Sequence, residues 1–307
     1  MTTSTATGER STRRLLLAYL WAQIDELRSR EPGARIDSPD AVHRMRVASR
    51  RLRSSLATFR PLFKGSKAQR LRGELLWAGT VFGPVRDLEV IRARLHQTAS
   101  TLVVDAALAA VVDQLDQELA ERHSRAHQEM VATMDGPRYA ALLAALEAFV
   151  SKPPWTKPVA KAAARVTLAA LVRGACARLD RAAKAASAVE TLQAGGPELH
   201  EVRKAAKRAR YAAEVAVTSV GAAARALVER MAELQEVLGL HQDSLMMRAL
   251  IQDLADRMTT HRMTKRQASA LSLLAGAEQE DDEPILASYR QALAAASTDE
   301  VRSWMRR

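Results

Sequence analysis

HRMRVASRRLR, residues 43 to 53, and HEVRKAAKRAR, residues 200 to 210, align without a gap at an offset of 157. His43 falls on His200, Arg46 on Arg203, Arg50 on Lys207, Arg51 on Arg208 and Arg53 on Arg210. A second pair follows in the same order. GPVRDL at 83 to 88 aligns on GLHQDSL at 239 to 245, placing Gly83 on Gly239 and Asp87 on Asp243 at an offset of 156. Two motifs repeated in order at nearly one offset predict a chain built twice from one unit.

The repeated segments are helical in pattern. At 100° per residue, positions 43, 46, 50 and 53 fall within an arc of about 80°. Met45, Leu52, Leu56 and Phe59 lie opposite and can pack inward. His43, Arg46, Arg50 and Arg53 thus form one cationic stripe, and His200, Arg203, Lys207 and Arg210 a second. Arg51, Lys204 and Arg208 add charge beside them. Between Asp40 and Glu74 the chain carries ten Arg and Lys residues and no carboxylate. A merely solvated helix face would intersperse acids at i, i+4 to relieve the repulsion. The first stripe has none, so an anion is the expected occupant of a cleft between the two stripes.

The rest of the chain reads as helix separated by punctuation. Expected helices cover 11 to 30, ended by Pro32-Gly33, and about 39 to 60, with Ser38 as N-cap, Pro39 at the first helical position and Asp40 in the first turn. Others cover 66 to 81, ending at Gly83; 84 to 99, started by Pro84; 101 to 134; and 137 to 150. SKPPWTKP, 151 to 158, is the clearest linker. The second half should hold helices at 159 to 188, from the Gly195-Gly196-Pro197 break to 217, and at 221 to 238, 241 to 260, 263 to 277 and 284 to 297, with EQEDDE, 278 to 283, as an acidic loop. No alternating strand pattern stands out. The predicted fold is all-α, with halves at 10 to 150 and 159 to 300 forming two four-helix bundles related by a pseudo-twofold axis around a basic central groove.

Composition agrees. The 307 residues are 48% apolar but only 4% aromatic, which favours close-packed helices over sheet. Net charge is +11, and 37 of 46 basic residues are Arg, whose planar fork suits phosphate. Cys176 is alone, which excludes an intramolecular disulfide and fits a reducing cytoplasm. Arg10, Arg13 and Arg14 before LLLAYLWA imitate a signal peptide, yet QIDELRSR continues an amphipathic helix, so the segment reads as structure. No run approaches the length of a membrane span.

Other chemistries find little support. There is no Walker loop, no G-x-G-x-x-G and no HExxH, and no Ser or Cys has a base at recognisable spacing, so no catalysis is expected. His123 and His127 stand at i, i+4, half of a zinc site, with no carboxylate or Cys pattern to complete it; no metal or other cofactor is expected. His43 and His200 lie among arginines that would repel a cation. Asp87 and Asp243 are expected in the first turns of helices, as caps that also hold groove arginines; Arg86 and His241 stand beside them.

These motifs resemble the CHAD domain. HRMRVASRRLR with its apolar continuation to 63 and FGPVRDLEVI, 82 to 91, are similar to its first-half signatures. HEVRKAAKRARYAAE, 200 to 214, and LQEVLGLHQD, 234 to 243, are similar to its second-half ones. The resemblance covers roughly 10 to 300. It implies two four-helix bundles around a basic groove, binding of inorganic polyphosphate and, in some members, association with polyphosphate granules. Gln242 departs from the pattern where the first half has Arg86, making that end of the groove less basic. The E-x-E-x-K motif of the CYTH domain often fused to this family is missing, as expected of a stand-alone copy. Nucleic acid is the alternative partner. The stripes lack the aromatics that stack bases, with only Tyr211 adjoining one, so it is the less favoured one. The sequence is silent on oligomeric state.

Overall fold

The computed structural model describes residues 11 to 103, 105 to 156, 164 to 189, 196 to 259, 264 to 278 and 282 to 306. Several sequence expectations fall outside them: residue 10, the end of the linker at 157 to 158, the helix start at 159 to 163, Gly195, residues 260 and 263 at helix ends, and the acidic loop at 279 to 281.

The fold is all-α. In chain order come α1 (Thr12–Arg35), α2 (Ala41–Thr58), α3 (Lys67–Ser100), α4 (Ala106–Met134) and α5 (Pro137–Ser151). They are followed by α6 (Ala164–Ala185), α7 (Gly196–Val220), α8 (Ala222–Thr259), α9 (Lys265–Ala277), α10 (Asp282–Ala295) and α11 (Asp299–Arg302). Among the described residues, extended pairing is confined to one antiparallel bridge between Phe63 and Trp155. There the Lys64 N–H donates to Pro154 O and the Thr156 N–H to Leu62 O, while Trp155 stacks on Phe63 with centroids 5.0 Å apart. The proline-rich segment is thereby bound back onto the end of α2's connection.

Sequential helices pack as antiparallel neighbours: α1 on α2, α2 on α3, α6 on α7, and α7 on α8, with α2 also meeting α7. Leu15, Leu16 and Leu20 are buried, so the N-terminal apolar run serves the core. One large hydrophobic cluster takes in Phe59, Phe63 and Phe82 from the first half and Leu179, Ala209 and Leu234 from the second. A smaller cluster joins the far ends of α3 and α8 to α4 and α9 through Leu95, Leu115, Met247 and Leu274.

Four expected boundaries are corrected. Residues 66 to 99 form one helix, not two: α3 runs through Gly83-Pro84. An interior proline removes one backbone hydrogen bond and costs about 3 kcal/mol. Phe82 and Val85, both fully buried on either side, offset it. Likewise α8 continues through Gly239. Pro32 lies inside α1, which extends to Arg35. Finally, Ser38 does not cap α2. Asp37 and Asp40 adopt left-handed backbone conformations (φ 56° and 61°), and the turn they build delays the helix to Ala41. Asp tolerates that region better than most residues.

Candidate functional site

The apolar side of α2 behaves as its spacing demands: Met45, Leu52, Leu56 and Phe59 are all buried. Their burial fixes the rotation of the helix, and the opposite side opens onto a cavity of about 790 Å³. His43, Arg46, Arg50 and Arg51 enter it from α2, and His200, Arg203, Lys207 and Arg210 from α7. Arg86 and Asp87 from α3 and Gln242 and Asp243 from α8 complete the walls.

Two arginines are held by the long helices. The Arg46 guanidinium donates through Nη1 to Gly83 O and to Asp87 Oδ1, each at 2.8 Å. Arg203 lies across Gly239 so closely that a Cβ there would stand 3.3 Å from its Nη2. A Cβ at Gly83 would stand 3.7 Å from Arg46 Nη1. The paired glycines are therefore seats for guanidinium groups inside continuous helices, not helix ends. Asp87 and Asp243 lie mid-helix and cap nothing, contrary to the expectation. Asp87 keeps the other expected role, as the partner that orients Arg46. Burial raises the Asp243 carboxyl above its ordinary pKa, with Arg203 the main opposing charge.

Glu214 ties the cavity together from below. Arg51 donates to its Oε1 at 3.1 Å, Arg210 Nε lies 3.3 Å from the same oxygen, and Tyr19 donates to Oε2 at 2.7 Å. Arg51 also sits over the Tyr211 ring at 5.7 Å. Burial, followed by the field of Glu214, drives the Tyr19 hydroxyl well above its usual range, so it stays a neutral donor. Neither Tyr19 nor Glu214 was singled out from the sequence. The signal available was Glu214 four residues after Arg210, the spacing of a helical ion pair.

The remaining cations are less fully offset, with Asp243 as the opposing charge at Arg203 and Lys207. Among the described residues, Arg50, Arg203 and Lys207 form no ion pair with a carboxylate, and the Nε atoms of Arg50 and Arg203 are buried without a hydrogen-bond partner. Burial, then Arg203, Arg50 and Arg46, bring the Lys207 ammonium down to a pKa of about 7. Burial also lowers His43, reinforced by Arg86 and Arg50, and lowers His200, reinforced by Lys204. Like charges packed together in a half-buried site disfavour one another's ionised forms.

Four sequence candidates lie off this cavity's lining. Lys204 is exposed and paired with Glu201. His241 is buried in α8. Burial lowers the pKa of both Arg53 and Arg208, reinforced by Arg50 and Arg72 at Arg53 and by Arg178, Arg72 and Arg53 at Arg208. Arg86, expected only as support, reaches the wall itself, its guanidinium 2.8 Å from Glu89.

The family model for the CHAD domain matches residues 18 to 252. The chain belongs to the CHAD domain family. Uncharacterized proteins from two Mycobacterium tuberculosis strains are each 31% identical to it over 230 residues, 74% of this chain and 42% of the relative. The chain thus spans about two fifths of the length of the curated relatives it matches. Among solved structures, PptA from Streptomyces chartreusis superposes with a TM-score of 0.70 at 24% identity, covering 92% of this chain and 99% of that one. The CHAD domain of the plant Ricinus communis gives 0.67 at 24% identity, covering 97% and 92%. Both likenesses establish the CHAD fold. None of the described helices is long and apolar enough to cross a membrane.

Proposed function

We propose that this CHAD domain binds inorganic polyphosphate in the cavity between α2 and α7 and acts as a binding protein without catalysis of its own. The carrying observation is the group Arg50, Arg203 and Lys207: three inward cations that, among the described residues, make no ion-pair contact with a carboxylate, two of them with buried unpartnered Nε donors. Such a cluster is self-repelling until an anion neutralises it, and guanidinium forks match phosphate oxygens. Each charge-assisted hydrogen bond then contributes roughly 1.5–3 kcal/mol. The supporting pairs Arg46–Asp87 and Arg51–Glu214 hold neighbouring donors in place, which lowers the ordering cost of binding.

Polyphosphate is favoured over nucleic acid by the walls of the cavity. Its one aromatic, Tyr211, is 5% exposed and covered by Arg51, so it offers no face for a base. Single-strand binders depend on such faces. Polymer binding also supplies a reason for the twin motifs: two halves related by a pseudo-twofold axis would present equivalent donors to a ligand with no direction of its own. A cytoplasmic protein recruited to polyphosphate granules follows from this reading.

The test is competition. Long-chain polyphosphate, single-stranded DNA and RNA are titrated at equal phosphate concentration and at two salt concentrations. Polyphosphate is expected to displace both nucleic acids. Tighter binding of either one, with sequence preference, overturns the proposal.

A further inference from the structure

We propose that a divalent cation of the Mn2+ or Zn2+ class binds between Asp37, Glu89 and His123, behind the wall of the cavity. The sequence shows His123 and His127 four residues apart, with no carboxylate or Cys pattern to complete a site. The fold supplies two, from distant elements. Asp37 comes from the turn between α1 and α2, Glu89 from α3 and His123 from α4. One ligand atom from each lies within 4.8 Å of the other two.

The spacing of these atoms is wider than that of a hydrogen-bonded pair. His123 Nδ1 stands 3.7 Å from Asp37 Oδ2, and Nε2 stands 3.9 Å from Glu89 Oε1. Both gaps are too long for hydrogen bonds. An ion takes only one ring nitrogen, and the gap between Nε2 and Glu89 Oε1 admits one about 2.0–2.2 Å from each atom, with an Asp37 oxygen inside the same 4.8 Å cluster. His123 is only 14% exposed, and its Nε2 is buried without a hydrogen-bond partner. A buried polar atom left unpaired is costly, and an ion on that nitrogen removes the cost.

The surroundings act as outer support. Glu89 Oε2 is taken by Arg86 at 2.8 Å, which turns Oε1 toward His123. The His127 ring stacks near His123 at 6.4 Å and is itself fixed to Ala34 O at 2.7 Å. A cavity of about 380 Å³ beside the cluster gives an entry path and room for coordinating water. Arg92 also lines it, but Asp116 binds that guanidinium through both oxygens, at 2.6 and 2.8 Å. One imidazole with two carboxylates is a mixed set that suits Mn2+ or Zn2+ better than the all-oxygen cations.

The experiment titrates Mn2+ into the metal-stripped full chain without any polyanion, reading the loss of the free Mn2+ electron paramagnetic resonance signal. One ion per chain is expected, displaced by Zn2+. Glu89→Gln and His123→Gln should each weaken binding by roughly tenfold or more, a loss typical even of supporting partners. Asp113→Asn, an exposed carboxylate on the same α4, should leave it unchanged. Circular dichroism verifies the fold of each variant. Mn2+ should also raise the melting temperature of the unaltered chain, so a poorly folded variant does not leave the question open. Absence of saturable binding, or one tight ion retained in both variants, overturns the site. Because no polyphosphate is present, the result is independent of the polyanion proposal.

Discussion

Arg203 rests on Gly239 more tightly than Arg46 rests on Gly83, with 3.3 Å against 3.7 Å to an added Cβ. Alanine at either position improves helix propensity by about 1 kcal/mol. At Gly239 the methyl also pushes the guanidinium away from its seat. Gly239→Ala should therefore keep or raise the melting temperature while weakening polyphosphate binding, by up to roughly tenfold or about 1.4 kcal/mol. Gly83→Ala should change affinity less. Paired melting curves and titrations check this; a Gly239→Ala chain that binds normally would show that Arg203 needs no such seat.

Lys207 is expected to cost stability in the free protein. Its folded pKa of about 7 lies below its ordinary 10.5, so the unfolded chain holds more protons between those values. Stability from this residue accordingly rises as pH increases from about 7 toward 10.5. Replacing it with a neutral chain of similar length removes the penalty. Lys207→Met should raise unfolding free energy at pH 7 by an order of 1–3 kcal/mol and weaken polyphosphate binding at the same time. Denaturant melts at pH 7 and 10 separate the effect, which should shrink at the higher pH.

The same group sets a pH dependence of binding. A phosphate chain favours the charged ammonium and raises its pKa, so binding takes up a proton when free Lys207 is neutral. Affinity should then fall as pH rises above about 7. His43 and His200, both lowered by burial, add a further gain on acidification below the ordinary imidazole range near 6.5. Calorimetry in two buffers of different ionisation enthalpy, at pH 8, should detect net proton uptake. A pH-independent affinity between 6 and 9 would contradict the assignment.

Charge reversal at two unpaired cations tests the electrostatic mechanism. Arg50→Glu combined with Lys207→Glu should abolish measurable binding at moderate salt in a chain that keeps its helicity. For the unaltered protein, log affinity should fall linearly with log salt, with a slope on the order of −0.7 to −0.9 per neutralised phosphate by analogy with nucleic acids. Arg50→Gln alone should make that slope shallower by about one such step.

The fold class and most of the cavity were legible because they depend on periodicity. His43, Arg46 and Arg50 share a face opposite Met45 and Leu52, and that relation survives folding unchanged. What misled was punctuation. Gly83-Pro84 and Gly239 read locally as breaks, but tertiary packing of Phe82 and Val85 and the seating of guanidinium groups override local preference. Arg53 and Arg208 lie off the cavity's lining, although Arg210, the repeat counterpart of Arg53, is part of it. Asp37 and Glu89 beside His123 could not be foreseen, since Glu89 follows Asp37 by 52 positions and His123 follows Glu89 by a further 34.

 Only the packing of α3 and α4 against the α1–α2 turn closes those distances.

The large hydrophobic cluster that takes in residues of both α2 and α7 has a kinetic consequence. Two cationic helices seated on one close-packed core keep their separation before any ligand arrives, because such interiors resist deformation. Capture then needs no closing step, and its speed is governed by encounter. Association should approach the electrostatically steered regime, on the order of 10⁸ M⁻¹s⁻¹ at low salt, and slow steeply as ions are added. Stopped-flow traces should show a single phase whose rate rises linearly with polymer concentration and never levels off.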